Sequence, residues 1–302
     1  MSSPRNTVGH ALTKGWKWLD PVADFFGAIV AAVYKIPGTR PLKTLLHGTW
    51  PLHHPLHPAV TDWTVGGYIT LFGLDVFYLV TRDSTLTRAA DFVLVLSLLS
   101  SVVAIASGLT DWKETYGEER RNGILHGLLM IVASLGFVTS LWLRFGGASD
   151  QRDLAIAISI VAFVILVVAA YLGGDMTFGY GTAVNRQAWV EAPSKWERLD
   201  VSAKGLDDRK PVVATTKRGM AVFVTKLDGA VYAMGNTCTH AGGPLNEGTW
   251  VGRDRCEIEC PWHASRFCVK DGDVKGGPAT FPEQRLEVRT DASGFVEVRA
   301  RG

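Results

Sequence analysis

Four uninterrupted apolar runs fill the first half of the chain: Trp63 to Leu79, Ala89 to Leu109, Ile124 to Phe145 and Leu154 to Gly174. Each reaches, or comes close to, the roughly 20 residues that cross the hydrocarbon core of a bilayer. A water-soluble bundle would show a polar stripe at helical period, and the runs LVLSLLSSVVAIA and LAIAISIVAFVILVVAAYL show none. The first run carries Asp75 and three glycines, and glycine is frequent where membrane helices pack closely. The expected architecture for residues 60–175 is therefore an all-α membrane four-helix bundle.

Charge divides the chain at the same place. Residues 60–174 hold 7 Lys/Arg and 10 Asp/Glu, whereas residues 185–302 hold 18 and 16. The formal net charge is +2, with no stripe of Lys and Arg, which argues against nucleic-acid binding. Four spans return the chain to its starting side. That side, A, carries Arg5, Lys14, Lys17, Lys35, Arg40, Lys43, Lys113, Arg120, Arg121 and Arg186, against Arg82, Arg88, Arg144 and Arg152 on side B. The positive-inside rule then predicts a multi-pass cell-membrane protein with both termini cytoplasmic. Residues 1–20 lack the apolar core of a cleavable signal. Val22 to Tyr34 is too short to span and reads as an amphipathic helix on the lipid surface, within a cytoplasmic and interfacial segment 1–59. Trp50, Trp63 and Trp112 near side A and Trp142 near side B are the expected interface anchors. The EERR run at Glu118 to Arg121 reads as a solvated connector.

After Tyr180 the pattern changes to short alternating runs. VVATT, AVFVTKL and AVYAMG read as strands, with Asp228-Gly229 as a hairpin turn, and LEVRT and FVEVRA flank a second turn at 291–294. Residues 176–194 are the expected linker, and 195–302 an all-β domain of antiparallel sheets. Within it lie Cys238-Thr-His240 and, 19 residues on, Cys260-Pro-Trp-His263. Two loops that each offer a thiolate and an imidazole form a metal-ligand set. Structural zinc usually draws on chemically alike pairs. A mixed pair on each loop instead suits a dinuclear cluster with both Cys on one iron and both His on the other.

The runs NTCTHAGGPL and CPWHASRFCVKDGDVKGGPA resemble the two cluster-binding loops of the Rieske [2Fe-2S] family over about residues 195–300. The resemblance implies a [2Fe-2S] cluster with Cys238 and Cys260 on the inner iron and His240 and His263 on the solvent-side iron. The gap between the loops is a few residues longer than usual, which is assigned to a turn from Asn246 to Arg253. Gly243 and Trp262 stand where quinol-oxidising relatives have a disulfide, so the chain resembles the ferredoxin type. Ser265 can donate to a bridging sulfide, Trp262 flanks the second loop, and Phe267 replaces a tyrosine donor, which places the potential in the lower half of the roughly −150 to +300 mV Rieske range. Cys256 and Cys268 are expected as separate buried thiols, since a cytoplasmic site disfavours a disulfide.

LHGTW, HPLHPAVTDW, Asp75, GLTDW, His126 and YLGG resemble an uncharacterised four-helix membrane family often fused to Rieske modules, over about residues 40–185. His57 and His126 both sit at side A, with His54 and Asp111 near them in the expected layout. They are candidates for a haem b, metal or quinone site, against the plainer reading of helix caps and headgroup contacts. Asp75 lies about 18 Å from Trp63 along the helix and so outside that group. It is a candidate proton site, or a structural partner of Ser97. A Rieske cluster moves one electron and has no substrate site. Only 39 residues follow His263 and none is His, so the two-His, one-carboxylate iron of an oxygenase is not expected. The expected function is membrane-anchored one-electron transfer between redox protein partners, one cytoplasmic and one membrane-associated, with no substrate-oxidising site of its own. An iron-sulfur redox sensor and a structural zinc protein are the rivals. Lipid is an expected contact, and self-association into a homo-oligomer stays open.

Overall fold

The computed structural model describes residues 8–146, 151–252 and 256–301. Arg5 and Arg253, used above for orientation and for the long gap, lie outside the described residues. The chain forms two compact units. One takes in residues up to Leu42 together with Leu56–Thr182; the other takes in Lys43–Pro55 and the chain from Ala183 onward.

In the first unit α1 (Val8–Thr13) and α2 (Leu19–Lys35) precede four long helices, α4 (Leu56–Thr81), α5 (Thr87–Trp112), α6 (Gly117–Gly146) and α7 (Arg152–Gly174). All four are long and apolar enough to cross a membrane. At 1.5 Å per residue the shortest is about 35 Å, against a core of roughly 30 Å. Their outer faces are apolar and exposed, as at Leu99, Leu135 and Val161. Small residues bring the helices together: a Cβ on Gly67 would fall 2.2 Å from Ser97 Oγ, and one on Gly136 would fall 2.9 Å from Ala162 Cβ. Ser97 therefore serves a close helix contact, and its hydroxyl donates to Val93 O.

Asp75 has a different partner from the one expected. Its Oδ2 accepts from Arg144 at 2.5 Å and from Ser159 Oγ at 2.8 Å, with both charged side chains essentially fully buried. Arg144 also reaches Asp91, which pairs with Arg152 at 2.7 Å. Arg144 was counted as a surface charge of side B; it instead neutralises Asp75, because a lone carboxylate in a span is costly and the facing helix supplies the cation.

The EERR run is likewise a docking hub and not a solvated connector. Glu118 meets His10 at 2.8 Å, Arg120 meets Asp24 and Ala23 O, and Arg121 holds Asp20 through two hydrogen bonds. These contacts fasten α1 and α2 to the start of α6, while Phe25, Ile29, Val33 and Ile36 of α2 and its C-cap stay exposed. Trp112 is 5% exposed and donates to Arg120 O, so it is a core residue and not an interface anchor.

The second unit begins with the last part of α3 (Arg40–His47) and contains ten strands among the described residues. A six-stranded antiparallel sheet has the order β1-β10-β9-β4-β3-β2, from β1 (Glu197–Ser202), β2 (Val212–Thr215), β3 (Ala221–Leu227), β4 (Ala230–Gly235), β9 (Arg285–Thr290) and β10 (Phe295–Ala300). A four-stranded sheet runs β5 (Thr249–Val251), β6 (Glu257–Glu259), β7 (Arg266–Cys268) and β8 (Val274–Gly276). Alternation puts Val222, Val224, Val296 and Val298 into one core, with Phe223, Ile258 and Phe267 in another. The long gap is thus mostly the strand β5 paired with β6, not a turn. Cys256 and Cys268 form a disulfide, their Cα atoms 5.0 Å apart, because the β6/β7 register places Cys268 opposite Glu257. The expectation of two separate thiols is overturned.

Replacing Arg144 with Leu leaves Asp75 charged and buried, a loss of about 3–5 kcal/mol, whereas replacing Asp75 as well removes most of that penalty. Thermal unfolding in one detergent checks this, and a double variant no more stable than Arg144→Leu would contradict it.

Candidate metal centre

Two loops at one end of the second unit bring four donors together. The first follows β4. It closes on itself through Cys238 N–H to Gly243 O and Gly242 N–H to Cys238 O, both 2.9 Å. The second links β6 to β7 and closes through Cys260 N–H to Ser265 O at 2.8 Å and Ala264 N–H to Cys260 O at 3.0 Å. Cys238 and Cys260 are buried, outside any disulfide, and hydrogen-bonded to each other. The imidazoles of His240 and His263 stand 5.0 Å apart, centroid to centroid, at 85°. Their Nδ1 atoms are buried.

This set fits a metal centre. With metal–nitrogen distances of about 2.0–2.1 Å and a tetrahedral angle, two imidazoles on one metal have centroids roughly 5 Å apart. The thiols behave as one acid: the hydrogen bond from Cys238 pulls Cys260 down to about 7, helped by the backbone N–H groups of Trp262 and His263, while Cys238 is pushed up. A single thiolate is thus ready at neutral pH, and the soft sulfur pair can take one iron while the imidazoles take another.

The surroundings fix the loops. A Cβ on Gly243 would lie 2.7 Å from Cys260 Sγ and 3.0 Å from Trp262 Cγ, so glycine is required where the loops meet. Trp262 covers that contact and stays half-exposed. Ser265 is fully buried and accepts from Ala279 N–H at 3.1 Å, which leaves its own proton to donate. Phe267 lies in the core.

Three supports were not readable in the sequence. Thr49, before the first span, donates to Gly277 O and Ala279 O at 2.7 and 2.9 Å, bracing the peptide that binds Ser265. Gln187 donates to Thr237 O, and Arg186 N–H to Thr239 O, so part of the expected linker 176–194 is fastened to the first loop. Glu283 accepts from Thr239 N–H at 2.8 Å. Burial pushes its carboxyl well above the usual range, with the N–H of Thr239 opposing and the charge of Cys260 adding to the rise.

The membrane candidates separate. His57 and His126 come together, their rings 6.4 Å apart. His54 falls in the other unit, with Nδ1 3.0 Å from Pro55 O. Asp111 lies toward Tyr34, whose hydroxyl meets Thr110 at 2.5 Å. Asp75, paired with Arg144, has the environment of a structural ion and not of a proton site.

Comparison with known proteins agrees with both halves. Residues 53–186 match the family described as a predicted membrane protein (DUF2231), and residues 198–290 match the Rieske [2Fe-2S] domain. The first match begins after LHGTW, which belongs with the β unit. The ferredoxin component of a naphthalene 1,2-dioxygenase system from Pseudomonas putida is 36% identical over 92 residues, covering 30% of this chain and 77% of the relative. The ferredoxin component of a 2,4-dinitrotoluene dioxygenase system from Burkholderia sp. is 30% identical over 112 residues, covering 34% and 96%. Among solved structures, the ferredoxin of carbazole 1,9a-dioxygenase from Nocardioides aromaticivorans IC177 is 29% identical, covers 36% of this chain and 100% of its own, and has a TM-score of 0.32.

Gly243→Ala should lower bound iron per chain several-fold while far-ultraviolet circular dichroism is unchanged; full iron occupancy would show that the contact yields. For Glu283 the raised pKa means a neutral carboxyl in the fold and an ionised one in the unfolded chain. Stability is therefore present below the ordinary carboxylate range and is lost as pH rises toward the raised value. Glu283→Gln should flatten this decline of Tm with pH.

Proposed function

The chain belongs to the Rieske [2Fe-2S] family, carried on a DUF2231 membrane domain, and from that premise we propose that it is a membrane-anchored one-electron carrier. The observation that carries this reading is the convergence of two buried thiols and two imidazoles on paired loops. Cys238 and Cys260 are the ligands of the inner iron, and His240 and His263 those of the outer iron. When bound, the cluster supplies a one-electron couple. The residues around it set where that couple lies: N–H groups of His240, Trp262 and His263 approach the ligand sulfurs, and Ser265 has a proton to give. Phe267 contributes no donor, so the potential falls in the lower half of the Rieske range.

Relatives that are ferredoxin components of dioxygenase systems support a redox protein as one partner. The other partner is membrane-associated, as a protein or a small redox group; haem b and quinone are the two chemistries that histidine-bearing helices hold. Side A is cytoplasmic, by its excess of Lys and Arg, and the cluster domain lies there.

A redox titration of the full-length protein in detergent, followed by EPR, should give a Rieske signal with a midpoint below about +75 mV. His263→Ala should abolish the signal and leave membrane insertion intact. A sensor would pass few electrons. Continuous flow from an NADH-linked ferredoxin reductase through the protein to cytochrome c is expected of a carrier, and its absence in cluster-loaded protein would contradict the reading.

A further inference from the structure

The membrane domain is a helical hairpin repeated about an axis along the membrane normal. Positions in α4 match those in α6 at an offset of 69 residues: Leu56/Leu125, His57/His126, Gly67/Gly136, Thr70/Thr139 and Leu74/Leu143 are identical. Positions in α5 match those in α7 at an offset of 65, with Ala90/Ala155, Ala104/Ala169 and Gly108/Gly173 identical. Burial follows the same offsets, at Ser97/Ala162, Ser101/Leu166 and Ser107/Leu172 among others. Equivalent residues of α4 and α6 meet at three levels. His57 faces His126, Tyr68 stacks on Phe137 with centroids 3.8 Å apart, and Asp75 pairs with Arg144. The first and last levels are 18 residues, or about 27 Å, apart along each helix.

The two histidines are held in the same way. His57 Nδ1 lies 2.8 Å from Ala104 O, and His126 Nδ1 lies 2.7 Å from Ala169 O. A carbonyl only accepts, so each Nδ1 carries the proton and each neutral ring keeps its lone pair on Nε2. This is the support usual for metal-ligating imidazoles, whose second nitrogen donates to a carbonyl or carboxylate. Each ring also lies against a glycine: a Cβ on Gly108 would fall 2.7 Å from His57 Cε1, and one on Gly173 3.1 Å from His126 Cε1.

From this arrangement we infer that His57 and His126 are the two axial ligands of one haem b on the repeat axis at side A. Imidazoles on opposite sides of one iron, at about 2.0 Å from metal to nitrogen, have centroids roughly 6.3 Å apart, against roughly 5 Å for a tetrahedral ion. The observed 6.4 Å matches the first arrangement, whereas His240 and His263, at 5.0 Å, match the second. Two opposed ligands leave the four equatorial positions to a planar macrocycle. Leu109, Leu125 and Leu128 at the same end of the bundle supply the apolar wall that such a ring needs. As the membrane-side redox partner of the cluster the haem rests on the carrier reading; as a binding site it rests only on α4 to α7.

The test is to express the full-length protein with added 5-aminolaevulinate, purify it in detergent and measure haem by the pyridine haemochrome method alongside EPR. The expected result is about one haem b per chain, with a strongly anisotropic low-spin ferric signal, since the imidazole planes stand at 81°. His57→Ala and His126→Ala should each lose haem and retain the reduced Rieske signal. His126→Met, which keeps an axial donor, should retain haem with a shifted spectrum and a raised potential. Cluster-loaded wild-type protein that takes up no haem even when hemin is added overturns the inference and leaves the carrier reading standing, as does a bound transition metal in place of haem. Haem bound with unchanged spectra in both alanine variants also overturns it. Haem without any cluster signal overturns the carrier reading alone.

Discussion

Each cluster loop is a short ring of backbone closed on its own cysteine: Cys238 N–H binds Gly243 O, and Cys260 N–H binds Ser265 O. Everything at the site follows from those closures. They turn two thiols inward to meet each other, set two imidazoles side by side, and allow the loops to touch only where Gly243 has no side chain. Neither loop has enough apolar surface to hold this shape alone. The sheets supply the frame, and supports from outside the loops lock it: Gln187 on Thr237, Glu283 on Thr239, and Thr49 on the peptide behind Ser265. A centre so over-determined keeps its geometry between oxidation states, which lowers the reorganisation needed for electron transfer.

The membrane half is organised by a different constraint. In lipid there is no hydrophobic drive to pair helices, so contact depends on small residues and satisfied polar groups. The bundle uses both, with Gly67 and Gly136 at equivalent close approaches and the Asp75–Arg144–Asp91–Arg152 chain of charges at side B. At side A the helix starts are held by ion pairs from Glu118, Arg120 and Arg121 to α1 and α2. One end is thus closed by buried charge, and the other presents two imidazoles.

How much could be read beforehand depended on whether the signal was local. The cluster ligands lie within runs of three and four residues, so their chemistry shows in the sequence itself. The four spans show because lipid demands about 20 apolar residues in a row. Asp75 could be flagged as a buried carboxylate, but its partner, Arg144, is 69 residues away and looked like a surface charge at a helix end. EERR looked solvated because the residues it binds, His10, Asp20 and Asp24, belong to helices whose docking no periodicity announces. The hairpin repeat was hidden because few aligned residues are identical; what repeats is burial and carbonyl contact, which only coordinates display. The Cys256–Cys268 disulfide went against an argument from compartment, and the β6/β7 register that adjoins the two could not be inferred from spacing alone.

The central claim is that a mixed-ligand [2Fe-2S] cluster sits between these loops, with both imidazoles on one iron. Electron–nuclear double resonance on the reduced full-length protein, with 15N-labelled histidine, measures this directly. The account predicts two coupled histidine nitrogens per cluster and the loss of this two-nitrogen pattern in His240→Cys. A diamagnetic zinc protein with no signal, or a reduced cluster coupled to no histidine nitrogen, would contradict it.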